Sequence, residues 1–216
     1  MTYTVKEIFP TLQGEGFHTG RPSVFIRFAG CNLWTGLEKD RGQATCKFCD
    51  TDFVGTDGPG GGKFHDAADL ATTAKKIWNE THAKKQKEAA PFVVLTGGEP
   101  LLQIDSALID VLHGFGFKIA IETNGTKPVL PGIDWVCVSP KAGANLEQRT
   151  GNELKIVYPQ TGIDPADYET LEFDHFFLQP MDGDEQEKST EAVRSYCTKH
   201  PKWKVSLQTH KLLGIP

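Results

Sequence analysis

Six short runs of apolar, mostly β-branched or aromatic residues recur along the chain. They are SVFIRFAG (23–30), FVVLTGG (92–98), KIAIETNG (118–125), DWVCVSP (134–140), NELKIVYP (152–159) and HFFLQPMD (175–182). Most are nearly continuous in apolar character, which predicts strands buried on both faces of a parallel sheet. Three other stretches repeat at the helical period. Over 67–88, Leu70, Ala74, Ile77, Trp78 and Thr81 share one face. Over 105–116, Leu108, Val111, Leu112 and Phe115 do so, with Gly116 placed to stop the helix. Over 185–200, Ala192, Val193, Tyr196 and Cys197 follow Ser189 or Thr190 as caps. The opening YTVKEIFPTLQGEG and the closing WKVSLQTHK predict extra strands, and GTDGPGGGKF (55–64) a loop before the first helix.

Six barrel strands against three long helices limit the architecture. The gaps after KIAIETNG and DWVCVSP are too short and too rich in Gly and Pro for a crossover helix. A complete eightfold barrel is therefore excluded. The expected fold is α/β: a reduced partial TIM-like barrel of about six parallel strands and three long helices, with extra N- and C-terminal strands, in a single domain over 1–216. The polar groups TGGEP, ETNG, SPK and QPMD all fall at the C-terminal ends of strands. Parallel β/α architectures build their sites on that rim, so the four together predict one ligand crossing one mouth.

Composition narrows the function classes. The chain has 216 residues, 38% of them hydrophobic, enough for one substantial core. Its 23 basic and 28 acidic residues give a formal net charge of −5. No basic stripe runs through it, which argues against a nucleic-acid partner. No N-terminal run suits a signal peptide, and no stretch approaches eighteen apolar residues, so a soluble cytoplasmic protein without a membrane partner is expected. Five cysteines in a chain of this length do not read as a secreted disulfide framework. Cys137 in DWVCVSP and Cys197 in AVRSYCTKH read as small buried hydrophobes.

Cys31, Cys46 and Cys49 are different, because they fall within a window of 19 residues. Thiolates suit zinc, copper(I) and iron–sulfur clusters. A structural zinc site is normally closed by four ligands, and His65 or Asp50 would have to complete it. Three cysteines on a four-iron cluster instead leave one iron open. The cysteines alone leave both readings standing. Two glycine-rich matches fail outright. GEGFHTG spaces its glycines wrongly for a dinucleotide fingerprint, and GPGGGKF lacks the first glycine and the Ser/Thr that a phosphate loop requires.

The Cys-x₂-Cys pair with Phe48 between its cysteines, followed by TGGEP at a strand end, resembles the radical S-adenosylmethionine (SAM) superfamily. The usual spacing there is C-x₃-C-x₂-C, whereas 14 residues separate Cys31 from Cys46 here. Together FPTLQGEG, RFAGCNLW, CDTDF, TGGEP, ETNG, SPK and QTHK resemble one subgroup, the 7-carboxy-7-deazaguanine synthases, some of which carry the enlarged spacing. The likeness runs from about residue 3 to the C-terminus.

The resemblance implies that Cys31, Cys46 and Cys49 hold a [4Fe-4S] cluster. SAM would occupy the open iron and yield a 5′-deoxyadenosyl radical. It places Phe48 against the adenine, with Asp50 beside it. The Gly97–Gly98–Glu99 backbone would meet the SAM amino group, and Asn124 of the ETNG turn has a weaker claim. Ser139, Pro140 and Lys141 would serve the ribose and carboxylate, and Gln179, Pro180, Met181 and Asp182 the adenine and ribose edges. The implied substrate is 6-carboxy-5,6,7,8-tetrahydropterin. Its carboxylate would meet Arg27, and its ring would be framed by Leu12, Gln13, Gly14 and Glu15. Thr96 would lie between the two ligands, and His210 near the Pro216 carboxylate, which would accept from the pterin. Thr51 would bind Mg²⁺ once substrate oxygens complete the site.

The implied reaction removes hydrogen from C6 and contracts the ring with loss of ammonia, serving 7-deazapurine (queuosine-type) biosynthesis. An external donor of flavodoxin or ferredoxin type would supply electrons, and a homodimer is implied. Loop 32–45, within the cluster loop 31–49, would cover the cluster or bind the reductant. Two rivals remain. A glycyl-radical activase predicts a shallow, open mouth. A zinc module on Cys31, Cys46, Cys49 and His65 leaves TGGEP, SPK and QPMD unexplained.

Overall fold

A computed structural model describes residues 2–82 and 90–216. All six expected strands form. They are β2 (Pro22–Phe28), β4 (Phe92–Gly97), β5 (Lys118–Thr123), β6 (Trp135–Val138), β7 (Thr150–Tyr158) and β8 (Glu172–Pro180), each parallel to the next. The opening segment is β1 (Tyr3–Leu12), antiparallel to β2, and β9 (Trp203–Val205) runs parallel beside β8. The sheet is β3-β1-β2-β4-β5-β6-β7-β8-β9. Its third strand in sequence, β3 (Gly62–Phe64), pairs antiparallel with β1 inside the stretch expected to be loop. The glycines make that possible, because Gly61 and Gly60 pack directly on the carbonyls of Lys6 and Ile8, where a Cβ would clash.

The helices are α1 (Ala67–His82), α2 (Ser106–Gly114) and α3 (Gln186–Lys199). The expected continuation of the first helix to residue 88 lies outside the described residues. Leu70, Ala74 and Trp78 are buried as the periodicity requires, but Thr81 is exposed. Helix α2 is capped by Asp105, which accepts from Leu108 N at 3.0 Å, and the chain leaves it through Gly116 at φ +80°. Ser189 and Thr190 do not cap α3. It starts earlier, and Thr190 Oγ1 donates back to Gln186 O from within the helix. The closing segment departs more. After β9 it leaves the sheet and forms a short helix, α4 (Thr209–Leu213), ended by Gly214 in the left-handed conformation.

Two apolar clusters join sheet to helices. Val24, Ile26, Phe28, Val93, Leu95, Ile119 and Ile121 pack under α1 and α2, and Val138, Leu154, Ile156, Phe176 and Leu178 under α3. Each fully buried aliphatic side chain there contributes about 1.5–3 kcal/mol. The other face of the same strands alternates with these positions and carries Arg27, Thr96, Glu122, Glu153, Lys155 and Gln179. This inner face is polar. At the N-terminal end of the strands it is stoppered by the loop after β1. Phe17 stacks on His175 and Trp135 at 4.3 and 4.9 Å, His18 lies 4.3 Å from Trp135, and Arg21 sits over Phe92. The C-terminal end stays open. Among the described residues no helix is long and apolar enough to cross a membrane.

The stopper carries a pH dependence. Burial, the nearby Arg21 charge and His175 push the His18 imidazole down to about 4. The unfolded chain therefore takes up a proton below about pH 6.5 that the folded chain refuses. Stability present above that pH should be lost as pH falls toward 4. Solvent screening of the half-exposed ring limits the effect to the order of 1 kcal/mol. Denaturant midpoints between pH 7 and 4 should show this slope, and His18→Phe, which keeps a ring but cannot titrate, should flatten it.

Candidate active site

At the open end lies a cavity of about 390 Å³, within the range of small-ligand sites. It gathers residues from every strand end named above. Cys31, Cys46, Phe48, Cys49, Asp50 and Thr51 border one side, with Thr96, Gly98, Ser139, Lys141, Gln179, Pro180 and Asp182 along the rim. Leu12, Gln13, Gly14, Glu15, Arg27, His210 and Pro216 border it too. Pro140, Met181 and Glu99 lie outside its wall. Pro140 and Glu99 are buried behind it, and the Met181 N–H is turned to Tyr158 O at 3.0 Å.

The three thiols sit on an apolar patch of their own. Trp34, Ala44 and Phe53 pack together, with Cys31 and Cys49 against them, and the two rings meet edge-on at 5.6 Å. The Leu33 N–H donates to Cys31 Sγ at 3.4 Å, while burial pushes that thiol up overall. Cys46 and Cys49 share a hydrogen bond, which lowers Cys49 to about 6 and raises Cys46 well above the ordinary thiol range. A thiolate is thus stabilised in this loop, the form in which sulfur ligates metal. Among the described residues no three His, Cys, Asp or Glu side chains gather tightly enough for one metal ion. His65 is exposed beyond β3 and does not border the cavity, so it supplies no fourth ligand to these thiols. Three soft donors around a shared cavity suit a cluster, in which each thiolate meets its own iron.

The glycines of TGGEP line the cavity and have a second use within the chain. A Cβ on Gly98 would lie 2.2 Å from Gly30 O and 2.8 Å from Cys31 Cβ, and one on Gly97 would lie 2.3 Å from Phe28 O. The close approach is therefore to the chain's own backbone, just ahead of the first cysteine. Glu99 secures the contact. Its N–H donates to Gly30 O at 2.9 Å, and its carboxylate accepts from Leu101 N, Thr123 Oγ1 and Asn124 N at 2.8–3.0 Å. Burial pushes this carboxyl up despite those donors. Asn124 Nδ2 in turn donates to Asn32 Oδ1 at 3.0 Å, tying the ETNG turn to the residue after Cys31.

Beneath the cavity runs a polar network that sequence reasoning missed in part. Lys155, 3% exposed, donates to Glu15 and to Glu122 (3.2 Å). Gln13 Nε2 donates to Glu122 at 2.9 Å, and Gln179 Nε2 to Glu15 at 3.0 Å. Burial acts to lower Lys155, but the Glu122 and Glu15 charges outweigh it and hold the ammonium well above its usual range. Burial acts to raise Glu15, and Lys155 outweighs it in the other direction. The expected ligand-facing amide of Gln179 is thus engaged, since its Oε1 also accepts from Ser206 Oγ at 3.0 Å. The missed residues, Glu122 and Lys155, carried a signal: charges at alternating positions of otherwise apolar strands.

The C-terminal segment crosses the mouth. Thr209 donates to Gly14 O through N and Oγ1 at 2.9 and 2.7 Å. Gly14 is a glycine because a Cβ would stand 2.1 Å from His210 Nδ1. Lys211 Nζ reaches Asp50 at 2.7 Å and Asp182 at 2.6 Å, linking the cysteine loop to the end of β8. Burial would raise Asp50, yet the Lys211 and Gln208 hydrogen bonds hold it below the usual range. Thr11 Oγ1 donates to the Pro216 carbonyl oxygen at 2.5 Å. Arg27 pairs with Glu7 through Nε at 2.7 Å, and among the described residues its Nη groups have no hydrogen-bond partner. Nor has the Thr51 hydroxyl, while the Thr51 carbonyl accepts from Cys49 Sγ at 3.9 Å. Lys141 donates only to Ser139 O and Oγ, at 2.7 and 2.6 Å. Burial lowers its ammonium, and among the described residues it forms no ion pair with a carboxylate, Glu99 acting on it only at longer range.

No family model matches the chain. The chain is 58% identical over 216 residues to 7-carboxy-7-deazaguanine synthase from Burkholderia multivorans, with 100% of both chains covered. It is 57% identical over 216 residues to the enzyme of that name from Bordetella pertussis, again with both covered fully. Its fold matches the crystal structure of QueE from Escherichia coli with a TM-score of 0.67 at 28% identity, covering 96% of this chain and 94% of that one.

The contact at Gly98 makes a direct prediction. Gly98→Ala forces its methyl onto Gly30 O, a backbone atom that cannot swing aside, and should cost at least about 2 kcal/mol. Chemical denaturation of the two chains measures it; an unchanged midpoint would show that the strand end does not need the contact.

Proposed function

The chain belongs to the 7-carboxy-7-deazaguanine synthase family, and on that premise we propose that its cavity is the active site for that reaction. The substrate is 6-carboxy-5,6,7,8-tetrahydropterin, and the product, 7-carboxy-7-deazaguanine, forms with loss of ammonia. One observation carries the reading: the three thiols, the polar strand ends and the groups suited to the pterin all border a single cavity.

The donor set fits a [4Fe-4S] cluster with one iron free of protein ligands. Cys31, Cys46 and Cys49 would hold it. Such a cluster, reduced by one electron and with SAM bound, would supply a 5′-deoxyadenosyl radical. Everything else falls to the chain's own side chains. Lys141, a cation without a carboxylate, suits the SAM carboxylate, with Ser139 beside it. Phe48, Asp50, Gly98, Gln179, Pro180 and Asp182 line the cavity with them, and Pro140 and Met181 lie behind its wall. The Arg27 Nη groups, without a hydrogen-bond partner among the described residues, would suit the substrate's acid, because a guanidinium can take a carboxylate through two hydrogen bonds. Leu12, Gln13, Gly14, Glu15, Thr96, His210 and Pro216 would enclose the pterin. The Thr51 hydroxyl, lacking an internal partner, is an oxygen ligand suited to Mg²⁺. The stopper formed by Phe17 and His18 closes the far end against water, and segment 206–216 narrows the mouth, as radical chemistry requires. An external flavodoxin- or ferredoxin-type donor and a homodimer complete the reading.

Both rivals fit less well. The activase reading wants a shallow, open mouth, whereas this one is crossed by α4. The zinc reading wants His65, which is exposed elsewhere.

The test is anaerobic: iron, sulfide, SAM, a reductant, magnesium and the carboxytetrahydropterin, with products followed by mass spectrometry. The expected product is 7-carboxy-7-deazaguanine, absent with Cys49→Ala. Arg27→Ala should raise KM for the pterin by about 10–100-fold while SAM binding is retained. 5′-Deoxyadenosine without the deazaguanine would sink the substrate assignment. Zinc in place of iron would sink the reading altogether.

A further inference from the structure

The 14 residues between Cys31 and Cys46 have no part in the function so far. They are not slack. Residues Glu38–Gln43 form a 3₁₀ turn, Thr45 N donates to Leu33 O at 3.0 Å, and Thr35 Oγ1 donates to Asp40 at 2.8 Å. Arg41 is the centre of this segment. Its Nη1 donates to Lys47 O at 2.9 Å and to Cys49 O at 3.1 Å, the carbonyls on either side of Phe48. Its Nε donates to both Glu38 oxygens, at 2.7 and 2.9 Å, and its guanidinium lies over the Trp34 ring at 4.1 Å. Trp34 is held by its own Nε1 bond to Leu37 O at 3.2 Å and packs on Phe53 beside Cys31 and Cys49.

One side chain therefore joins the apolar patch under the first cysteine to the backbone of the second pair. In the shorter C-x₃-C spacing the chain itself sets the separation between those cysteines. We propose that Arg41 does so here: it is a positioning residue that clamps the Cys46–Cys49 loop against the Trp34 patch, so that three thiols far apart in sequence present one cluster face. The planar guanidinium suits the task because it spans two carbonyls and a carboxylate while stacking on a ring, which a lysine ammonium cannot do. This inference rests on the cluster reading above.

The experiment uses the full chain reconstituted anaerobically with iron and sulfide, as parent, Arg41→Met, Arg41→Lys and Glu38→Gln. Bound iron and sulfide, the rate of iron loss to a chelator, and the reduced-cluster EPR signal with and without SAM are measured beside the thermal midpoint. Arg41→Met should lose iron roughly tenfold faster, as expected when charge-assisted hydrogen bonds are removed, and should show a blunted EPR response to SAM. Arg41→Lys should restore only part of both. Glu38 is largely exposed, so Glu38→Gln threatens the fold least and should give a smaller change in the same direction. Variants that hold iron as long as the parent with the same SAM-dependent signal would overturn the role of Arg41 and leave the cluster reading standing. A parent that takes up no iron and sulfide would overturn that reading, and this inference with it.

Discussion

The buried ammonium of Lys155 is the point on which the inside of this half-barrel depends. A charge in such a place is tolerated only when paired, and breaking a buried pair costs about 3–5 kcal/mol. Its partners Glu15 and Glu122 come from the loop after β1 and from β5. Glu15 accepts from Gln179, Gln179 accepts from Ser206, and Ser206 Oγ accepts from Gly16 N at 2.9 Å. The chain of bonds thus runs from the sheet to the stopper loop and onward to the C-terminal segment. An open sheet has no strand to close it. Here a polar network does the closing, fixing the floor of the cavity and, through Ser206, the start of the segment that crosses its mouth.

The cysteine loop solves a separate problem. Closing 14 residues rather than three between the first two cysteines costs about 1.4 kcal/mol more in chain entropy. Burying Trp34 offsets that by about 1.5–3 kcal/mol, and a guanidinium over its ring adds about 0.5–2. The longer loop is therefore affordable without help from any metal. From the other side, Gly98 and Glu99 press the end of β4 against Gly30, so the first cysteine is set by strand geometry and the other two by the loop.

The sheet was legible because buried parallel strands announce themselves as unbroken apolar runs, and the polar strand ends because they interrupt those runs at one rim. What escaped reading has physical causes. The inner face of an open barrel alternates with the helix-packed face, so Glu122 and Lys155 stand as single charges within mostly apolar runs, a signal that shows which face is polar but not which partners pair. Gly14 and Gly98 border the cavity as the motifs suggest, but each also makes room for another part of the chain, His210 and Gly30. Such pairings join residues distant in sequence and leave no local trace. The closing WKVSLQTHK predicts strand throughout because WKV begins one, but Gly214 supplies a left-handed stop that permits a helical turn over QTHK instead.

The charges that border the cavity are mostly paired. Most of its acids and bases neutralise one another: Lys155 with Glu15 and Glu122, Lys211 with Asp50 and Asp182, Lys6 with Asp52 and Asp57. Two cations keep hydrogen-bonding capacity: Lys141 beside the thiols, and Arg27, which pairs with Glu7 through Nε but leaves its Nη groups without a hydrogen-bond partner among the described residues. The proposed ligands each carry one carboxylate. On that reading the two cations need not compete, because each ligand's acid meets one of them and the ordering of SAM and substrate in the cavity follows from charge before any shape is considered.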